Sequence, residues 1–201
     1  MPPSFAEFLI AAIVMEITPG PNMTWLALLA AREGRIAGLQ AVAGIATGLA
    51  LLAIVAATGA AALIAAWPLL YTALRWGGVL FLLYLAWEAW VGEKDTGKPP
   101  EPRRHFRRGL IVNLLNPKAA AVFIVVIPGF AGPDAPASVL ITMTLTYLAI
   151  ATLAHALIVG FAGSFEKSLA HPRREEIVRR IFALALAGVA VWFAFGTALP
   201  G

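Results

Sequence analysis

Two ionisable side chains, Glu16 and Lys118, stand inside long apolar runs, each beside a proline break. The breaks read Thr18-Pro19-Gly20-Pro21-Asn22 and Asn116-Pro117-Lys118. A charge at such depth costs roughly 2.5–3.5 kcal/mol on insertion scales, so each residue must face the protein interior or be neutralised. Proline removes a backbone donor and crowds the preceding turn, which opens a helix. Pro21 and Pro117 suit the first turn of a new half-helix, and Asn116 suits the N-cap before it. Such a helix start presents unpaired N–H groups and a partial positive charge, which favour an anion such as a carboxylate. Lys118 adds a full charge there. These residue types point to a ligand-binding set of Pro19, Gly20, Pro21, Asn22, Asn113, Asn116, Pro117 and Lys118, against the plainer reading of two ordinary kinks.

Glu16 admits two roles. It can pair statically with Lys118 and lock two helices together, or it can carry a proton as a buried carboxyl. His155, with Tyr147 eight residues earlier on the same helical face, extends either role: a proton relay, or a histidine satisfied by a neighbouring carbonyl. Asn113 shares a face with Asn116 and can line the same cavity or bond across helices. Gly44 and Gly48 form a small-xxx-small pattern that permits close helix contact. With Tyr147 they are placed as cavity lining. No His-Glu-x-x-His spacing and no Gly-rich phosphate loop occurs, so neither a metal nor a cofactor is expected.

These residues need a membrane scaffold to position them. The 201 residues are 60% hydrophobic and 13% charged, against about 25% charged in soluble domains. Candidate spans fall at 5–31, 37–66, 69–91, 107–129, 138–163 and 176–198. The first lacks a basic flank, since the first Lys or Arg is Arg32, and it reads as a retained helix rather than a signal peptide. Residues 92–106 form a charged, Pro-rich linker between two three-helix halves, 1–91 and 107–201. Thirteen of the fifteen Lys and Arg residues lie in the loops after helices 1, 3 and 5 or in the first residues of the spans that follow them. By the positive-inside rule those loops are cytoplasmic and both termini lie outside. That confinement to loops also argues against nucleic acid as a partner.

Three helices per half is an odd number, so two copies of one unit would be inverted relative to each other. Matched breaks in helices 1 and 4 fit that arrangement, in which a transporter site lies between broken helices. The expected fold is an all-α integral membrane protein of six helices in two inverted three-helix repeats, helices 1 and 4 broken at proline.

Several stretches resemble the LysE/RhtB amino-acid exporter family. Pro19-Gly20-Pro21-Asn22 is similar to one hallmark, as is Arg35-Ile36-Ala37-Gly38-Leu39 leading into Gly44 and Gly48. Phe106-Arg107-Arg108-Gly109-Leu110, running through Asn113 to Asn116-Pro117-Lys118-Ala119, is similar to the second. The resemblance covers essentially the whole chain. It implies a secondary exporter of amino acids or close derivatives in the bacterial inner membrane, working by proton antiport as a homodimer or larger homo-oligomer. On that implication the half-helix ends with Lys118 receive the substrate carboxylate, and Glu16 receives the ammonium or the exchanged proton. The alternatives are export of another small polar metabolite or cation, and an intramembrane enzyme using Glu16 and His155. The enzyme lacks a nucleophile or metal with motif support.

Overall fold

Apolar stripes at a spacing of four residues set how these helices pack. In α1 (Phe5–Ile17) the buried residues are Phe8, Ala12 and Glu16, while Ile10, Ile13, Val14 and Ile17 face outward. In α7 (Ala137–Ala162) the buried stripe runs Met143, Tyr147, Ala151, His155 and Val159. Residues four apart share a helix face, so each stripe turns one polar residue or more towards the interior. The large apolar side chains left on the other faces match a lipid surround.

The computed structural model describes residues 5–17, 21–58, 68–91, 103–132, 134–165 and 172–196. Regular structure within them is entirely helical. Between α1 and α7 come α2 (Pro21–Ala57), α3 (Pro68–Val91), α4 (Arg104–Leu114), α5 (Pro117–Ala121), a π-helical segment (Val122–Val126) and α6 (Ile127–Ala131). A 3-10 turn (Gly163–Phe165) and α8 (Pro172–Gly196) follow. Helix α2 packs against α4 and α7, and α3 packs against α8.

The long α2 is two helices. Gly34 breaks it with φ 85° and ψ 176°, a backbone conformation that favours glycine. A Cβ built on Gly38 would lie 3.1 Å from the Cβ of Ala30. Eight residues of straight helix would separate those positions by about 12 Å. The chain therefore folds back at Gly34 into a helical hairpin, where the sequence suggested a five-residue loop.

Other boundaries move by a few residues. Helix α4 begins at Arg104, inside the stretch assigned to the linker, and α8 begins at Pro172 rather than 176. Leu114 ends α4, and the segment from Lys118 to Ala131 leaves at an angle of 59° to it. Asn116 caps the restart: its side-chain oxygen accepts the Lys118 backbone N–H at 3.0 Å. The π segment just before Pro128 has a physical cause, because proline cannot donate to the turn behind it and crowds its carbonyl.

By length and composition, two helices among the described residues can cross a membrane, Asn22–Ala57 and Ala137–Ala162, and the bent pair Arg104–Leu114 with Lys118–Ala131 makes a third. The hairpin at Gly34 divides the first of these. The chain is an all-helical membrane protein.

Glycines set the closest helix approach. A side chain on Gly44 would run into the Phe106 carbonyl oxygen, and one on Gly109 into the Ala41 carbonyl oxygen. The α2 and α4 backbones thus touch almost directly, as small-residue interfaces allow. Gly44→Val and Gly109→Val are each expected to destabilise the protein by about 1–3 kcal/mol, the usual cost of overpacking. Thermal unfolding in detergent should show this, with Gly188→Ala, where nothing lies within 4 Å, as the neutral control. Unchanged melting of both valine variants would remove this interface as a determinant of the fold.

Candidate functional site

Glu16 is the second-to-last residue of α1 and is 5% exposed. A carboxylate cannot remain so buried without donors around it. Tyr147 supplies one: its hydroxyl donates to Glu16 Oε1 at 2.5 Å. His155 Nε2 stands 3.7 Å from Oε2, too far for a hydrogen bond but close enough for electrostatic coupling. Two turns of α7 separate Tyr147 from His155, so one helix face addresses both carboxylate oxygens. Phe123, from the π segment, meets the Tyr147 ring edge-on at 5.7 Å.

Lys118 approaches from α5. Its ammonium donates to the main-chain oxygen of Met15 at 2.5 Å. That oxygen is among the last four carbonyls of α1, which have no intrahelical partner. The cation therefore caps the negative end of α1. Sequence reasoning placed Lys118 beside the positive start of a half-helix and missed this partner, because a backbone acceptor leaves no mark in the sequence.

Helices α2 and α4 also meet through a pair of side chains. Asn22, at the start of α2, donates from Nδ2 to Asn113 Oδ1 at 2.9 Å across 91 residues of chain. Both amides are buried, Asn113 completely. The contact uses one donor and one acceptor and leaves Asn22 Oδ1 and Asn113 Nδ2 with no protein partner, as it does His155 Nδ1. Gly48 makes room for this arrangement, since a Cβ there would lie 2.8 Å from Asn113 Nδ2.

Glu16, Asn22, Asn113, Asn116, Lys118, Tyr147 and His155 all line one cavity of about 20 Å³. That space holds about one water molecule. An amino acid does not fit in it. Met23, Leu49, Ala119 and Ala151 complete the lining. Sequence reasoning missed these four, although Ala151 lies midway between Tyr147 and His155 at helical spacing. Gly44 and Gly48, expected to line the cavity, instead form the packing face against α4, because their missing side chains are filled by backbone and by Asn113. Pro19 and Gly20 lie outside the described residues; Pro21 and Pro117 open α2 and α5. Among the described residues no group of three His, Cys, Asp or Glu side chains is arranged to hold a metal ion.

A helical membrane chain that brings a carboxylate, an ammonium and unpartnered amide groups to one enclosed space has the makings of a small-solute translocator. The chain belongs to the LysE type translocator family, whose model matches residues 13–197. It is a transporter, not an enzyme. It is 31% identical over 144 residues to an uncharacterised membrane protein of Pseudomonas aeruginosa, covering 64% of this chain and 67% of that one. It is 28% identical over 179 residues to the leucine efflux proteins of Salmonella choleraesuis and Salmonella paratyphi A, covering 82% of this chain and 84% of each. No solved structure matches the chain significantly.

The amide contact predicts a specific coupling. Asn113→Ala strands the buried Asn22 donor and should cost about 1–3 kcal/mol. Adding Asn22→Ala should cost much less than a second independent loss, with a coupling of about 0.5–3 kcal/mol in a double-mutant cycle. Strictly additive losses in unfolding of the detergent-solubilised protein would mean that the two amides do not pair.

Proposed function

We propose that this protein exports amino acids across the bacterial inner membrane, and that protons entering in exchange drive the export. The observation that carries this reading is the single cavity with Glu16 on one wall and Lys118 on another. A zwitterion presents one carboxylate and one ammonium, and it neutralises both walls at once. Its carboxylate takes the Lys118 ammonium from the Met15 carbonyl. Its ammonium takes the Glu16 oxygen that Tyr147 otherwise occupies. A proton on Glu16 removes the charge that attracts the ammonium, so proton and cargo compete for one carboxylate. That competition is what antiport requires.

The cargo class follows from the rest of the lining. Met23, Leu49, Ala119 and Ala151 are apolar, and Glu16 is the one carboxylate among the described lining residues. A cationic side chain would find no second counter-charge in this space. The leucine efflux relatives support the same class, a neutral amino acid with an aliphatic side chain.

The cavity at its present size cannot hold an amino acid, so transport needs it to widen and to open on each side in turn. An arrangement of six spans in two inverted three-helix repeats, termini outside, would supply it. Helix α1 and the first arm of the α2 hairpin, residues 21–33, are together about 39 Å long, enough for one interrupted span of a ~30 Å hydrocarbon core.

The test is counterflow in proteoliposomes. Labelled leucine should accumulate against internal unlabelled leucine and respond to an imposed pH gradient. Lys118→Ala should abolish this while the protein remains inserted and folded; wild-type flux would take Lys118 out of the substrate site. Glu16→Gln imitates the protonated state and should cut exchange by about tenfold or more, with any residual flux independent of the pH gradient; a retained dependence would assign Glu16 to structure alone. If no amino acid in a full panel moves, the exporter reading is lost.

A further inference from the structure

A second and much larger cavity lies between the first turns of α1, the end of α6 and the first turns of α7. It measures about 350 Å³, and Phe5, Phe130, Val139, Thr142 and Met143 are among its walls. That is within the range of small-molecule sites, and none of its described lining residues is charged. It lies on the same two helices as the central cavity. Phe5 is eleven residues before Glu16 on α1, about 16 Å along the axis, and Met143 is one turn from Tyr147 on α7.

Three buried apolar side chains stand on the elements that carry the two spaces. Phe8, Phe123 and Met143 are all buried. Phe8 meets the vestibule wall edge-on at Phe130, with ring centres 5.7 Å apart. Phe123 meets Tyr147 in the same way on the other side. Phe123 and Phe130 flank the stretch where the π segment gives way to Pro128 and α6. Segments of this kind are frequent at functional sites in helices. Phe123 and Phe130 thus border a break in the regular helix, and Tyr147 touches the first of them.

The cavity also has a definite side. Helix α7 runs from the cavity at Val139 to Gly160, whose carbonyl accepts the Arg35 Nε–H at 3.1 Å. Basic residues collect at that far end, which the positive-inside rule assigns to the cytoplasm. On that assignment the cavity lies at the outer end of α7.

We propose that this cavity is the outer vestibule of the export path and binds the aliphatic side chain of the amino acid after it has left the central cavity. The inference rests on the exporter reading above and adds a second binding site to it. A 20 Å³ space cannot hold the cargo. The larger apolar space receives the side chain while the charged ends of the amino acid regain water.

The chain contains no cysteine, so single cysteines report cleanly. In Val139→Cys and Thr142→Cys, a charged, membrane-impermeant thiol reagent added from the outer side should modify both positions. Ile141→Cys, on the outward face of α7, should resist it. Leucine outside, at about ten times its half-saturating concentration, should slow modification of the vestibule cysteines about tenfold, as occupancy of a saturable site requires. Phe5→Cys reads the same space from α1 if either α7 variant fails to insert. Modification only by a lipid-soluble maleimide would make the cavity a lipid-facing cleft and overturn the proposal. Modification that leucine does not slow, in variants that still exchange leucine, would also overturn it and leave the exporter reading standing. Failure of every amino acid to exchange in the cysteine-free protein would remove both.

Discussion

Glu16 is a carboxylate taken out of water, and the rest of the structure is arranged around holding it. Burial of a charge is tolerated only with donors and counter-charges at hand. The Tyr147 hydroxyl, the nearby His155 ring and the Lys118 ammonium come from α7 and α5, so three helices must meet at one point. Lys118 also reaches the Met15 carbonyl in the last turn of α1. The last turn of α1 thus supplies both the buried carboxyl and a main-chain acceptor for the ammonium.

The same requirement explains the glycines. Bringing α5 to the end of α1 draws α4 tightly against the second arm of the α2 hairpin. Gly44 and Gly109 let the two backbones touch, and Gly48 leaves room for the Asn113 amide. Asn113 then reaches Asn22, and the starts and ends of the interrupted helices are tied side chain to side chain. The unpartnered atoms of these amides are the exception to the rule that buried polar groups are satisfied. They border a space of water size, and they are available to whatever enters it. A fully satisfied cavity would bind nothing.

The sequence made the polar half of the site legible and concealed the rest for identifiable reasons. Glu16, Lys118, Asn22, Asn113, Asn116, Tyr147 and His155 stand out because polar residues inside apolar runs are conspicuous. Met23, Leu49, Ala119 and Ala151 do not, since they match the membrane helices around them. Gly44 and Gly48 fit both close helix packing and cavity lining in the sequence, because a missing side chain looks the same whether backbone or open space fills it. The hairpin at Gly34 was visible only as a break between spans; one residue with a positive φ replaces a loop, and nothing in the flanking Arg and Glu residues announces this. Pairing of Glu16 with Lys118 is one of the two roles the sequence allows. The main-chain oxygen that Lys118 also reaches is a partner that every residue type provides, and it leaves no mark in the sequence.

That choice of partner bears on how the protein can change over time. Substitution at position 15 alters a side chain but leaves its carbonyl in place, so the anchor for the ammonium survives drift at that position. The apolar residues around the cavity are under no such electrostatic obligation. Under the proposed export function, a lineage can therefore resize Met23, Leu49, Ala119 or Ala151 to suit a different cargo while the Lys118–Met15 contact persists. Diversification of what is carried would then be separated, at the level of atoms, from the anchoring of the ammonium.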